Sequence, residues 1–300
     1  MNYRLTEGPH ANPLVSWGQE PAWGENRIIP MLSLRDRREL WEFWHEPPVQ
    51  CDSVSLSYND LRSKPDMYSS ARTTGIKQTL DYHGKVTCVL GGKNWLLDSV
   101  NVITYLQDIN SMNFDAVTSS EGYVYLTDHE NYRWHQLHRV VEHASSLVKA
   151  NPTADIVGMA QGTTRSEISF VIRKFKDLGL KWAAFPCSDL LSQRILSPIL
   201  EFLSIGREAG LHLWLTGVNS IHTIRRLGAD AYSGKKWCYG AAHGLGYVGE
   251  TLKTVTTLRC NHSYCAQITT LPLDIRLARH NLLSLMDENK PREREIDGWS

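Results

Sequence analysis

Short apolar runs alternate with longer amphipathic stretches along most of this chain. Runs of five or six mostly apolar residues are typical of buried strands, whereas apolar residues spaced three and four apart are typical of helices. In residues 166–178, for example, Ile168, Val171, Ile172 and Phe175 fall on one helical face. Strands are predicted at residues 27–33, 53–57, 86–90, 114–118, 155–160, 181–185, 211–216 and 229–232. The main helices are predicted at residues 35–44, 129–150, 166–178, 190–209 and 220–227.

Three glycines mark places where a predicted helix passes directly into the next strand. Gly179, Gly210 and Gly228 each follow the last apolar residue of a helix, where glycine commonly ends the helix. About eight strands with intervening helices indicate a parallel α/β fold, and a closed (β/α)8 TIM barrel of roughly 250 residues fits better than an open sheet. No GxGxxG follows the first predicted strand, and no GxxxxGK[ST] occurs in the chain, which weakens the nucleotide-binding open-sheet alternative.

The predicted barrel covers most of the chain. It takes in residues 27–287, preceded by an irregular, Pro/Gly-rich segment at 1–26 and followed by a charged tail at 288–300. A small metal-binding excursion is expected within it, at about residues 250–285. The predicted domain organisation is therefore one barrel with a small excursion rather than two separate domains.

The composition narrows the classes of function. The 300 residues carry 32 Lys and Arg against 32 Asp and Glu, so the net charge is zero. A protein that holds nucleic acid through bulk electrostatics would be strongly basic, although a local basic stripe stays open. No apolar run approaches the roughly 18 residues of a membrane span, and the amino terminus lacks the apolar stretch of a signal peptide. We therefore expect a cytoplasmic protein with reduced thiols and no membrane partner.

Two cysteines and two histidines near the carboxyl terminus have the spacing of metal ligands. Cys260, His262 and Cys265 form a C-x-H-x-x-C run, and His280 follows. Two thiolates and two imidazoles suit tetrahedral zinc, and four protein ligands leave no open position for a substrate. The alternative is a buried cysteine pair beside two surface histidines. The pattern favours a structural zinc site.

The order of several segments resembles the tRNA-guanine transglycosylase superfamily, which includes relatives that place 7-deazaguanines in DNA. The Cys260-to-Cys265 run with His280-Asn281 resembles the family's zinc motif, with His262 replacing a cysteine and a shorter interval before His280. Four further segments resemble segments of the family. Residues 82–97 resemble the segment that ends in D-S-G-G, and residues 155–162 resemble the strand that ends in Q-G. Residues 213–218 resemble the family's strand beside the base, and residues 228–233 resemble its strand that carries the nucleophile. The resemblance covers residues 70–285.

The resemblance implies a zinc-bearing barrel that binds guanine or a 7-deazaguanine and acts on tRNA or DNA, as a homodimer or a heterodimer. Gln161 would hydrogen-bond the base, and Gly162 and Gly217 would let the base approach the backbone. Lys235 and Lys236 fall where the family faces the nucleic-acid backbone, although they also suit a solvated loop. The sequence leaves the choice between tRNA and DNA open.

The departures from the family concern its two catalytic carboxylates. One carboxylate attacks the ribose C1′ and the other manages the proton of the base. Val89 and Ser233 occupy these positions, which leaves Glu121 and Asp230 as the candidate acids. Asp98 more readily caps the helix that follows it.

Two hypotheses result from these departures. The first is a pentosyltransferase of the guanine transglycosylase type, which we favour because the segments that contact the base are retained. The second is a non-catalytic, nucleic-acid-recognising subunit that pairs with an active homologue.

Overall fold

The computed structural model describes residues 27–47, 49–90, 99–122, 124–150, 152–258, 260 and 262–287. The predicted segments 1–26 and 288–300 lie outside the described residues. So do Gly91, Gly92, Leu96, Leu97 and Asp98, on which part of the family resemblance depends.

The described residues form nine parallel strands, a separate hairpin and a series of helices. The strands are β1 (Arg27–Ile28), β2 (Met31–Leu32), β3 (Ser53–Ser57), β4 (Lys85–Val89), β5 (Ala116–Thr118), β6 (Asp155–Met159), β7 (Trp182–Pro186), β8 (His212–Thr216), β9 (Ala231–Ser233), β10 (Leu245–Val248) and β11 (Thr251–Thr254). The helices are α1 (Arg38–Trp41), α2 (Tyr58–Arg62), α3 (Pro65–Thr74), α4 (Ile76–Leu80), α5 (Ser99–Met112), α6 (Glu130–Ala150), α7 (Arg165–Asp177), α8 (Ser188–Ser192), α9 (Ser197–Glu208), α10 (Ile221–Leu227), α11 (Lys236–Ala242), α12 (Ser263–Gln267) and α13 (Leu273–Asp287).

The nine strands make one curled parallel sheet. Strands β2 to β9 lie side by side in chain order, and β1 pairs with β9 at the other end. Only Ile29 and Pro30 separate β1 from β2. The Ile29 N–H donates to the Tyr232 carbonyl at 2.8 Å, whereas the Pro30 carbonyl accepts from Ser55 at 2.9 Å. The prediction of a parallel α/β fold is confirmed, and the sheet curves like at least half a barrel.

Alternate residues along the strands build two apolar cores. Val54, Leu56, Val86, Cys88 and their equivalents pack against the helices. The second core lies on the opposite face of the sheet, and nine buried residues form it: Ile29, Val89, Ala116, Val157, Met159, Trp182, Ala184, Trp214 and Ala231. A sheet buried on both faces is the arrangement typical of parallel strands with crossover helices.

Several predicted elements differ from the observed ones. The first strand is interrupted by Pro30, which lacks the N–H needed to continue a ladder. The predicted helix at 190–209 is two helices, because Arg194 adopts a left-handed φ of 59° and a new helix, α9, begins at Ser197 with Pro198 in its first turn. The predicted helix at 35–44 is only the single turn of α1.

The carboxyl-terminal excursion consists of the β10–β11 hairpin, α12 and α13. Arg279 of α13 is buried and donates to Glu46 at 2.8 Å and to the Glu39 carbonyl at 2.6 Å. Tyr264 of α12 donates to the same Glu46 carboxylate. These bonds attach the excursion to the segment around α1. None of the helices in the described part of the chain is long and apolar enough to cross a membrane.

Candidate functional site

The four residues predicted as metal ligands converge in the structure. Cys260 and His262 precede α12, Cys265 lies in α12, and His280 lies in α13. One donor atom from each lies within 4.8 Å of the other three, so the group could hold a metal ion. Cys265 and His280 are buried, whereas Cys260 and His262 are partly exposed.

A hydrogen bond to the Tyr247 carbonyl and a contact with Cys265 orient the His280 ring. Its Nε2 lies 2.9 Å from the Tyr247 carbonyl, and its Nδ1 lies 3.7 Å from Cys265 Sγ. When Nε2 donates its proton to the carbonyl, the Nδ1 lone pair is left directed at the sulfur. A backbone carbonyl that selects the tautomer of a histidine is the usual outer partner of a metal-binding imidazole.

Burial determines the protonation state of Cys265 and His280, two of the candidate metal ligands. Desolvation and, to a smaller extent, the neighbouring Cys260 raise the pKa of the Cys265 thiol to about 12. Desolvation also lowers the pKa of His280. Both groups are therefore neutral at pH 7, and a bound divalent cation would release the thiol protons because it stabilises the thiolates.

The carboxyl end of β6 carries a buried polar group, the Gln161 amide. Gln161 continues the alternation of Val157 and Met159, so it faces the inner core of the sheet. The residue is 6% exposed, and its Nε2 has no hydrogen-bond partner among the described residues. Ser120 beyond β5 and Ser233 at the end of β9 are 2% and 1% exposed, and their hydroxyls also lack partners there. Such atoms are rare in proteins and are commonly satisfied by a ligand or water.

The loop that holds Gln161 is fixed by the buried Glu167 carboxylate. It accepts from the Thr163 N–H at 2.8 Å, from the Thr164 N–H at 3.2 Å and from Arg133 at 2.8 Å. Thr164 caps α7 and completes a capping box with Glu167. Burial alone would raise the pKa of Glu167, but the Thr163 and Arg133 bonds outweigh it and lower the pKa. The T-x-x-E pattern at 164–167 was available in the sequence as a signal for this loop.

Two glycines occupy positions where a side chain would be strained. Gly217 follows β8 with a φ of +78°, and a Cβ there would lie 2.9 Å from the Ser188 Cβ. Gly162 has a φ of +142°, and a Cβ there would lie 2.8 Å from Ile168 Cγ1. Both lie where the sequence predicts close approach of a ligand, and both allow their strand ends to turn tightly. Lys235 and Lys236 are exposed just after β9.

The two candidate acids lie in different places. Glu121 is half-buried beyond the carboxyl end of β5, close in sequence to Ser120. Asp230 instead precedes β9, and its carboxylate accepts from the Leu213 N–H at 2.7 Å at the amino end of β8. This is the opposite end of the sheet from Gln161. The geometry therefore gives Asp230 a role in strand pairing and not in a strand-end site.

Comparison of the chain with protein-family models finds no match, and comparison with curated proteins finds none.

Proposed function

We propose that this protein is a zinc-bearing (β/α)8 barrel that binds guanine or a 7-deazaguanine at its strand ends and exchanges it in tRNA or DNA. This is the activity of the transglycosylase superfamily that the sequence resembles. The observation that carries the proposal is the buried Gln161 side chain, which faces the inside of the sheet and whose Nε2 lacks a partner in the described part of the chain.

Closure of the sheet into a barrel is supported by residues 27–32. This segment pairs with β9 through its first half and with β3 through its second half. If β1 and β2 are two halves of one strand, the sheet has eight strands and no free edge, as a (β/α)8 barrel requires. The inner core also takes residues from this segment and from β4 to β9.

The donor set fits zinc better than harder cations. Tetrahedral zinc, with Zn–S of about 2.3 Å and Zn–N of about 2.0–2.1 Å, separates a sulfur and a nitrogen ligand by about 3.5 Å. Cys265 Sγ and His280 Nδ1 are 3.7 Å apart. Zinc bound by Cys260, His262, Cys265 and His280 has no open position, so its contribution is to stabilise the fold of the excursion.

The chemistry of the strand ends favours an uncharged, hydrogen-bonding ligand. Gln161, Ser120 and Ser233 contribute an amide and two hydroxyls, and none of these groups carries charge. A phosphate or a carboxylate buried among them would need a cationic partner, whereas a purine-like base presents a carbonyl and ring nitrogens. Lys235 and Lys236, exposed at the same end of the sheet, suit the phosphates of the nucleic acid outside.

We assign the acid of the exchange to Glu121, since Asp230 lies at the other end of the sheet. Its carboxylate would have to come within about 3–3.5 Å of the reacting atoms of the bound nucleoside. Gln161 would orient the base, and the glycines at 162 and 217 would admit it to the backbone.

A second candidate function, a non-catalytic recognition subunit, is favoured by two buried residues. Val89 is 2% exposed and Ser233 is 1% exposed at the positions where the family resemblance expects acids. A valine can neither accept a proton nor carry charge, and a serine without an adjacent base is a poor nucleophile. In that case the barrel would bind base and nucleic acid but depend on an active homologue for chemistry.

Base binding is tested by calorimetry with guanine and with a 7-deazaguanine base. We expect Gln161→Ala to weaken binding at least tenfold, because it removes the hydrogen bonds that orient the base. Gln78→Ala on the exposed face of α4 is the matched control and should bind as the wild type does. Wild-type protein that binds neither base, or a Gln161→Ala variant of unchanged affinity, would refute the assignment.

Catalysis is tested by incubating the protein with tRNA or DNA and labelled 7-deazaguanine. Incorporation that is lost in Glu121→Gln and kept in Glu142→Gln, an exposed position on α6, identifies the enzyme and its acid. Incorporation that occurs only after a homologous active barrel is added identifies the recognition subunit instead.

A further inference from the structure

We infer that the metal centre holds the carboxyl ends of β8 and β9 in place through Tyr247 and Asn219, which makes Tyr247 a positioning residue for the strand-end site. The inference rests on the proposed function only for its effect on base binding. The coupling of the metal centre to the strand ends is a property of the hydrogen bonds themselves.

The first link joins the metal ligand His280 to the backbone of Tyr247. The His280 Nε2 bonds the Tyr247 carbonyl at 2.9 Å, and the next residue, Asn281, accepts from the Tyr247 N–H at 2.9 Å. The Asn281 amide also donates to the carbonyls of Trp237 and Leu245, both at 3.0 Å. Tyr247 is 4% exposed, so both of its backbone groups are fixed by α13 in a buried environment.

The second link joins the Tyr247 side chain to the loop after β8. Its hydroxyl donates to the Asn219 carbonyl. The Asn219 side chain in turn donates to the Gly217 carbonyl at 2.9 Å and accepts from the Lys236 N–H at 3.0 Å. One residue therefore bonds the end of β8 and the start of α11, directly after β9.

The strand-end loops depend closely on the position of Asn219. A Cβ on Gly234 would lie 2.2 Å from the Asn219 Oδ1, so the two loops are in contact. Val218 also donates to the Ser233 carbonyl at 2.9 Å. A displacement of Asn219 would therefore move Gly217, Ser233 and Lys236 together.

The series of contacts from His280 through Tyr247 to Asn219, called the relay below, explains how a metal without an open coordination position can affect the carboxyl ends of β8 and β9. A zinc ion held by His280 would fix its ring, the ring bonds the Tyr247 carbonyl, and the Tyr247 hydroxyl bonds the Asn219 carbonyl. The two links beyond His280 are direct hydrogen bonds between buried or half-buried groups, so neither depends on long-range electrostatics.

Amide hydrogen exchange on the zinc-loaded protein tests the relay without any base. Tyr247→Phe removes only the hydroxyl, so we expect unchanged zinc content and about five- to tenfold faster exchange in the peptide covering residues 215–238. Asn219→Ala should loosen the same peptide from the other side of the lost bond. Tyr239→Phe, an exposed tyrosine on α11, should change neither zinc content nor exchange. Unchanged exchange at 215–238 in Tyr247→Phe would overturn the inference.

Chelator competition for zinc, with and without saturating 7-deazaguanine base, measures the coupling between the two sites. In the wild type the base should tighten zinc binding, and the factor of interest is the ratio of the zinc affinities with and without base. In Tyr247→Phe this factor should fall towards one, while the zinc affinity without base stays the same. A residue with a purely structural role would lower stability and leave the factor unchanged, which would contradict the inference. If the wild type binds no base while Tyr247→Phe still loosens residues 215–238, the proposed function fails and the relay stands.

Discussion

At the residue scale, the protonation of the buried His143 imidazole makes the stability of the protein depend on pH. His143 lies on α6, is 4% exposed, and its Nδ1 accepts from the Ser120 N–H at 2.9 Å. Desolvation lowers the pKa of His143 from 6.5 to about 4. The ring is therefore neutral in the folded protein near pH 7, and it fixes the backbone of Ser120 beside Glu121.

The lowered pKa of His143 predicts a loss of stability in acid. Below pH 6.5 the His143 imidazole becomes protonated in the unfolded chain, whereas in the folded chain it stays neutral until about pH 4. The free energy of unfolding should therefore fall by up to about 3 kcal/mol between these values. Denaturant unfolding at several pH values should show a smaller fall in His143→Gln, with His135→Gln, exposed on the same helix, as the control. An equal pH dependence in all three proteins would contradict the assignment.

Two glycines with nearly the same backbone conformation allow the cost of backbone strain to be measured apart from the cost of a steric contact. Gly217 and Gly210 have φ of +78° and +75°, but a Cβ has no neighbour within 4 Å at Gly210 and meets Ser188 at 2.9 Å at Gly217. Gly210→Ala should cost about 1 kcal/mol for the left-handed conformation alone. Gly217→Ala should cost about 2–3 kcal/mol, because the added methyl also displaces Ser188. Equal costs in denaturant unfolding would show that the loop after β8 is not tightly packed.

At the element scale, the capping box of α7 positions the loop that carries Gln161. Glu167→Ala should reduce the free energy of unfolding by about 2–3 kcal/mol, because the N–H groups of Thr163 and Thr164 lose their acceptor. Glu201→Ala, which removes a partly exposed partner of Arg165 on α9, should cost less than about 1 kcal/mol. Calorimetry should also show weaker base binding in Glu167→Ala. A loss of stability without a loss of affinity for the base would show that the capping box does not position Gln161 for binding.

At the scale of the whole molecule, hydrogen bonds such as those from Arg279 and Tyr264 to Glu46 join the carboxyl-terminal excursion to the rest of the described fold. Because a bound metal stabilises only the folded state, the free energy of unfolding should rise with free zinc, by about 4 kcal/mol at a thousandfold excess over Kd. Cys265→Ser should abolish this dependence. Cys187→Ala, at a buried cysteine at the end of β7, should lower stability but keep the dependence on zinc. Thermal unfolding at buffered zinc concentrations measures both, and a zinc-independent wild type would exclude a metal role in the fold.

Several elements were predictable from the sequence because their signals are local. The strand predicted at 155–160 is observed as Asp155–Met159, and the helix predicted at 166–178 is observed as Arg165–Asp177. Both depend on the spacing of apolar residues, which the chain itself displays. Helices α2 to α4, which lie between β3 and β4, were not predicted, because they are short and their boundaries depend on caps and turns.

The sequence by itself determined the alternation of strands and helices and the four residues that could bind a metal, because periodicity and donor chemistry are properties of neighbouring residues. The tertiary structure decided which end of the sheet each polar group occupies. A shift of β9 to Ala231–Ser233 leaves Asp230 at the amino end, bonded to Leu213. Likewise, only folding brings Tyr247 between His280 and Asn219, since hydrogen bonds between residues distant in sequence form only when packing places them together.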